Sequence, residues 1–93
     1  MEDEIVIECK SQEEIDNLLI LIEEKDEDYK WFSGSNPTEF RPKHSSEGDV
    51  AIYINTNEKT LQFSESKFCK ELGYAKEDII QYKDFKMNKI KMI

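Results

Sequence analysis

The sequence predicts an α+β fold, in which a small antiparallel or mixed sheet carries one main helix packed on one face, in the order β-α-β-β-β-α-β. Three observations predict it. An alternating apolar segment begins the chain, one long helical stripe follows it, and two strand-like runs later in the chain are joined by a turn. The 93 residues have the length of a single domain, 1–93, with one modest core.

Residues 4–10 predict the first strand. Ile5, Ile7 and Cys9 lie at alternate positions, and this period of two is typical of a strand buried on one face. Val6 then falls on the opposite face, which we expect to be the outer one.

The main helix is predicted immediately after that strand. Ser11 followed by Glu14 is the capping-box pattern that begins a helix. The apolar stripe recurs at i, i+3, i+4 and i+7, and consists of Ile15, Leu18, Leu19 and Ile22. We expect the helix to end near Lys25, because the acids at 26–28 are unfavourable at the negative end of the helix dipole.

The remaining predicted elements are shorter. They are a strand at 29–32, a long irregular loop at 33–49, a hairpin of strands 50–55 and 60–64, a short helix at 65–72, a strand at 79–82 and a basic tail at 83–93. In the hairpin turn, Asn57 is expected to take a positive φ. Gly73 is expected to end the short helix, which would carry Phe68, Cys69 and Leu72 on one side.

Acidic charge is concentrated at the start of the chain. The first 28 residues contain twelve acids and two lysines, a net charge of −10, whereas the whole chain carries −8. Such a segment repels nucleic acid and anionic membranes and attracts basic protein surfaces. We therefore expect a protein partner, with no direct binding of nucleic acid and no membrane association.

The helix face opposite the apolar stripe is the first candidate site. At about 100° per residue, Ile20 projects from that face among Asp16, Glu23 and Glu24. An exposed isoleucine ringed by carboxylates resembles an interface anchor with a charged rim. The predicted protein-binding residues are Glu13, Asp16, Ile20, Glu23, Glu24 and Glu27. The alternative is that the acids only solubilise the helix and Ile20 is a single exposed apolar residue.

The irregular loop is the second candidate site. Phe40 is followed in it by the cationic or titratable residues Arg41, Lys43 and His44, and Trp31 precedes it. Cations beside aromatic rings are suited to hold a phosphate and stack a base, so these five residues form an alternative, ligand-binding set. The competing interpretation is a loop whose cations balance nearby acids, with Trp31 and its neighbour at position 32 in the core.

The sequence predicts no catalytic residues, no metal site and no cofactor. His44 is the one histidine, and the chain has no nucleophile-elbow, zinc-protease, phosphate-loop or calcium-loop pattern. Cys9 and Cys69 lack metal-ligand spacing and are interpreted as small apolar residues of a reduced, cytoplasmic protein. We expect no secretory signal, because the first residues are acidic, and no membrane span, because the longest apolar run is only Leu18 to Ile22.

Several short motifs resemble those of a known group of proteins. They are Ser11-x-x-Glu14, Tyr29-Lys30-Trp31-Phe32-Ser33-Gly34, Pro37-Thr38-Glu39-Phe40, Ala51-Ile52-Tyr53-Ile54, and the stretch from Gly73-Tyr74 through Ile79-Ile80 to Asp84-Phe85. The chain thus resembles small phage and prophage accessory proteins, in which an acidic capped helix leads into an aromatic-Trp-x-Ser-Gly segment, a variable loop and a hairpin. The resemblance implies a viral protein that acts in the bacterial cytoplasm and antagonises host defence, as anti-CRISPR proteins do. It brings no catalytic residues.

The function expected from these observations is stoichiometric binding rather than catalysis. The leading expectation is inhibition of a bacterial defence effector, whose basic nucleic-acid groove would be occupied by the acidic helix face. One alternative is sequestration of a nucleotide signal by the loop, and another is a structural or regulatory phage protein without a defence role. The basic tail would also allow a homodimer, if it paired with the acidic helix of a second subunit.

Overall fold

The computed structural model describes residues 4–46, 48–69 and 71–85, and it confirms the α+β class. Five strands form one mixed sheet, and one long helix packs on it. The elements are β1 (Glu4–Cys9), α1 (Gln12–Lys25), β2 (Lys30–Trp31), β3 (Val50–Asn55), β4 (Thr60–Glu65), β5 (Ile79–Gln81) and a single helical turn, α2 (Tyr82–Asp84). Further 3₁₀ turns occupy Pro37–Glu39, Ser66–Phe68 and Lys76–Asp78.

The sheet has the strand order β2-β4-β3-β1-β5. The two central pairings, β1 with β3 and β3 with β4, are antiparallel along six residues each. The outer strands are short and parallel to their neighbours: β5 pairs with β1 over three residues and β2 pairs with β4 over two. The sheet is therefore mixed, with long inner strands and short edges.

The helix forms where the sequence predicts it. The Ser11 hydroxyl accepts from the Glu14 N–H at 3.2 Å, while the Glu14 carboxylate accepts from the N–H of Lys10 at 2.8 Å, one residue before the usual capping-box donor. The four residues of the predicted stripe are fully buried. They pack against alternate residues of the inner strands, including Ile7, Ile52 and Leu61, to form the main core.

The opposite face of the sheet is covered in part, so the prediction of an outward-facing Val6 is wrong. Val6 is buried in a second, smaller cluster with Ala51, Tyr53 and Cys69. The chain after β4 folds over this face, where the Tyr53 hydroxyl lies 3.2 Å from the Cys69 sulfur and the Tyr74 ring packs on Tyr53. Both cysteines are free and buried, as expected of small apolar residues.

Two local predictions need correction in the second half of the chain. In the hairpin turn the positive φ belongs to Lys59 (+60°), because the Asn55 side chain accepts from the N–H groups of Asn57 and Glu58 and fixes the first part of the turn. The predicted helix at 65–72 contains a 3₁₀ turn, and of its three apolar residues only Cys69 is buried. Gly73 does adopt the expected positive φ, +96°. Of the predicted basic tail, residues 86–93 lie outside the described residues.

Candidate binding surfaces

The outer ridge of α1, defined by Glu13, Asn17, Ile20 and Glu24, is exposed along its length. These residues lie at i, i+4, i+7 and i+11, which places them in one row opposite the buried stripe. Ile20 keeps 38% of its surface exposed at the middle of this row. Glu27 continues the acidic surface beyond the helix and is also exposed.

One flank of the helix is already occupied by the chain itself. The Glu23 carboxylate accepts from both the N–H and the hydroxyl of Thr38, at 3.3 and 2.9 Å. Asp16 lies 3.8 Å from the Arg41 guanidinium and also accepts from the Gln12 amide at 3.1 Å. Two of the six predicted protein-binding residues, Asp16 and Glu23, therefore hold the loop in place, and the freely exposed set is narrower than the sequence suggests.

The predicted irregular loop is fixed at several points along α1. Gln12 donates to the carbonyl of Pro42 at 3.0 Å and accepts from the N–H of His44 at 2.9 Å. The indole N–H of Trp31 donates to the carbonyl of Pro37 at 3.1 Å, and both prolines are buried. The loop is thus an integral part of the fold, bound by backbone hydrogen bonds to side chains of two other elements.

The five residues of the alternative, ligand-binding set are only partly brought together. Trp31 and Phe40 are in edge-to-face contact, with ring centroids 5.3 Å apart. Arg41 points to Asp16, and His44 pairs with Asp49 at 3.0 Å. Lys43 is exposed. No cation of this set lines the depression beside the two aromatic rings.

That depression is an apolar groove of about 400 Å³ at the β2–β4 edge of the sheet. Trp31 is 4% exposed, and the rings of Phe40 and Phe63 lie on it with centroids 5.3 and 5.8 Å away. Phe32 is 73% exposed, contrary to its predicted place in the core, because the chain turns away from the sheet directly after Trp31. We call this surface the aromatic groove; it is lined by Trp31, Phe32, Ser33, Phe40, Leu61, Gln62 and Phe63.

Two of the four aromatic residues of the groove, Phe32 and Phe63, were not among the predicted ligand-binding residues. Phe63 follows Leu61 by two residues in one strand, so a shared face was readable from the sequence. The sequence does not show that the helix covers Leu61, which is fully buried, and leaves Phe63 46% exposed.

An acidic depression of about 520 Å³ lies at the end of α1. It is lined by Glu23, Glu27, Asp28, Lys30 and Asn36. Asp26 directly precedes Glu27 in the chain, and its carboxylate is paired. The Lys59 ammonium donates to it at 2.7 Å, and this hydrogen bond lowers the pKa of the Asp26 carboxyl. Within the described residues, no group of three or more His, Cys, Asp or Glu side chains could hold a metal ion.

Comparisons of the chain with protein families, with curated proteins and with solved structures gave no match. The resemblance to phage proteins therefore stays an expectation from short motifs. Among the helices described, none is both long and apolar enough to cross a membrane.

Proposed function

We propose that this protein acts by stoichiometric binding, through the outer ridge of α1, to a basic groove on a bacterial defence effector that handles nucleic acid. The protein would inhibit the effector by occupying the groove in place of nucleic acid, in the manner of an anti-CRISPR protein. The protein class comes from the resemblance of short motifs, and the binding mode comes from the charge and shape of the helix.

The observation that carries the proposal is the exposure of Ile20 on a ridge that has Glu13 at one end and Glu24 at the other. Isoleucine contributes most when it is desolvated at the centre of an interface, and carboxylates contribute orientation and association rate at the rim. Glu13 and Glu24 flank Ile20 on the ridge, and Glu27 extends the rim. An apolar centre with an acidic rim is complementary to a basic protein surface, where the isoleucine is desolvated and the carboxylates meet cations.

Charge density supports the nucleic-acid groove as the partner surface. Duplex DNA presents about one charge per 1.7 Å of axis, and proteins that bind it carry matching rows of lysine and arginine. The protein has a net charge of −8; the first 28 residues carry −10, and the rest of the chain carries +2. Because Asp16 and Glu23 hold the loop and are only partly exposed, the exposed carboxylates that would compete with nucleic acid are those of Glu13, Glu24 and Glu27.

The nucleotide-sequestering alternative has weaker support. A phosphate site needs converging donors, and here Arg41 and His44 are each turned towards an acid. The indole of Trp31 is nearly buried and contacted edge-on by two phenyl rings, so its face is not open for stacking on a base.

The test is a double variant on the ridge, Ile20→Ala with Glu24→Lys. The partner would first be captured from a lysate of the bacterial host, purified, and titrated with each variant at low and moderate salt. We expect the double variant to lose at least about tenfold in affinity, since it removes the apolar centre and reverses a rim charge. Wild-type binding should weaken as salt rises, and duplex DNA should compete with it.

The matched control is the pair Phe68→Ala and Glu58→Lys, which makes an apolar truncation and a charge reversal at exposed residues away from the ridge. It should bind like the wild type. Unchanged affinity of the ridge variant, with its fold intact by circular dichroism, would remove the helix from the binding site.

A further inference from the structure

Several phenylalanine rings around the aromatic groove are exposed to solvent together. Phe32, Phe40 and Phe63 keep 73%, 44% and 46% of their surfaces exposed, and they lie around one depression. Contiguous apolar patches on soluble proteins mark binding sites more often than scattered apolar residues do. The lining contains no charged side chain, so the groove selects for apolar groups.

The backbone beside the groove is an open strand edge. β2 pairs with β4 only at Lys30–Thr60 and Trp31–Leu61. The Phe32 N–H then donates to the Leu61 carbonyl at 3.0 Å, and a turn closed by Gly34 carries the chain away. Since peptide groups in a strand alternate in direction, those of Phe63 face the same side as those of Leu61. Within residues 4–46, 48–69 and 71–85, no backbone group continues the pairing at Phe63 on that side.

Charge indicates the kind of segment that would complete this edge. The segment 30–36 lines both the aromatic groove and the acidic depression, to which Glu27 and Asp28 contribute exposed carboxylates. Because neighbouring residues of one segment line both, a ligand that extends from the groove along this segment would reach these carboxylates, with Lys30 beside them. A second copy of this chain also carries a net charge of −8, which opposes self-association through the same edge.

We propose that the β4 edge and the aromatic groove form a strand-addition site for an extended segment of another protein. The segment carries apolar side chains at alternate positions, which enter the groove, and a lysine or arginine that reaches the acidic depression. Its main chain pairs with Phe63, so that backbone hydrogen bonds supply affinity and the groove supplies selectivity. This site is separate from the outer ridge of α1 and adds a second contact to the function proposed above.

A synthetic peptide tests the backbone part of the proposal. The probe is acetyl-Lys-Phe-Thr-Val-Thr-Phe-Lys-amide, whose apolar side chains alternate with threonine. Fluorescence of Trp31, the sole tryptophan, reports on the groove directly. Two N-methylated versions block the N–H groups of either the odd or the even positions. Because these groups point to opposite sides of a strand, we expect one version to bind at least about tenfold more weakly and the other to bind like the probe. Equal binding by both versions would overturn strand addition.

Variants of the protein test the groove. Phe32→Ser should weaken probe binding at least about tenfold, and it should leave the fold intact because the ring is largely exposed. Phe68→Ser is the matched control, since Phe68 is also an exposed phenylalanine, 40% accessible, outside the groove. Equal affinity of the two variants would overturn the assignment of the groove.

Two further measurements separate this site from the alternatives. Replacing both lysines of the probe by glutamate should weaken binding, and unchanged binding would overturn the contribution of the acidic depression. Sedimentation of the free protein should show a monomer, and a dimer that blocks the probe would assign the edge to a second copy instead. The Ile20→Ala, Glu24→Lys variant should bind the probe normally, so failure of the ridge proposal and failure of this one are distinguishable.

Discussion

At the scale of single residues, Lys59 connects the hairpin to the end of the main helix. Its φ is +60°, a conformation that is costly for a residue with a side chain. Its carbonyl accepts from the N–H of Lys30 at 3.0 Å, its ammonium donates to Asp26 at 2.7 Å, and the same ammonium lies 4.9 Å from the centre of the Tyr29 ring. The unfavourable φ of Lys59 thus occurs at a residue whose side chain makes both an ion pair and a cation–π contact, and these contacts offset its cost.

Lys59→Ala and Lys59→Gly separate the side-chain contacts from the backbone strain. We expect Lys59→Ala to lower the melting temperature, because the contacts are lost while the unfavourable φ remains. Lys59→Gly loses the same contacts but relieves the strain, so it should melt above Lys59→Ala. Thermal unfolding followed by circular dichroism measures both, with Glu58→Ala as a control in the same turn. Equal melting of Lys59→Ala and the wild type would show that the contacts contribute nothing.

The ion pair also gives this residue a pH signature. The pKa of Asp26 is lowered in the folded protein. The ion pair therefore stabilises the folded state fully at pH values above the unfolded pKa of about 3.9. This contribution is lost as the pH falls through the lowered pKa of the folded state. The difference in melting temperature between the wild type and Lys59→Ala should therefore shrink below about pH 4.

At the scale of elements, the Gln12 side chain makes two of the hydrogen bonds by which the helix fixes the loop. Gln12 holds the carbonyl of Pro42 and the N–H of His44 at once. Gln12→Glu keeps an acceptor for His44 but sets an oxygen against the Pro42 carbonyl, so the free energy of unfolding should fall by about 1 kcal/mol. Urea unfolding measures this change, and hydrogen exchange at His44 should accelerate. Glu13→Gln, at the neighbouring exposed position, is the control. Slower or unchanged hydrogen exchange at His44 in Gln12→Glu would contradict the role of Gln12 in holding the loop.

The sequence predicted the elements that local residue patterns specify, but it could not predict how this loop packs on the helix. The stripe from Ile15 to Ile22 and the alternation of residues 5–9 are patterns within one element, and both were confirmed. The contacts of Gln12 join residues 30 and 32 positions apart, and no local pattern records them. The exposure of Ile20 followed from helix geometry alone, whereas the engagement of Glu23 by Thr38 depended on where the loop packs.

At the scale of the whole molecule, the fold depends on buried cysteine and tyrosine side chains that keep their protons. This dependence lowers the stability of the fold at alkaline pH. Burial raises the pKa values of the Cys9 thiol and of the Tyr29 and Tyr82 hydroxyls, and it raises the pKa of Tyr53 to about 12. In each case the folded state retains a proton that the unfolded chain releases earlier. Stability is therefore complete below the unfolded pKa values, about 8.5 for cysteine and about 10 for tyrosine, and falls as the pH rises above them.

The alkaline limit can be measured and divided among these groups. We expect the free energy of unfolding in urea to decline from about pH 8.5 and more steeply from about pH 10. Cys9→Ala should remove the early part of the decline, and Tyr53→Phe should reduce its slope between about pH 10 and about pH 12. Both changes concern the slope, so they stay measurable although each variant is less stable at neutral pH. A free energy of unfolding that stays constant to pH 11 would contradict the raised pKa values, because protons would then leave both states together.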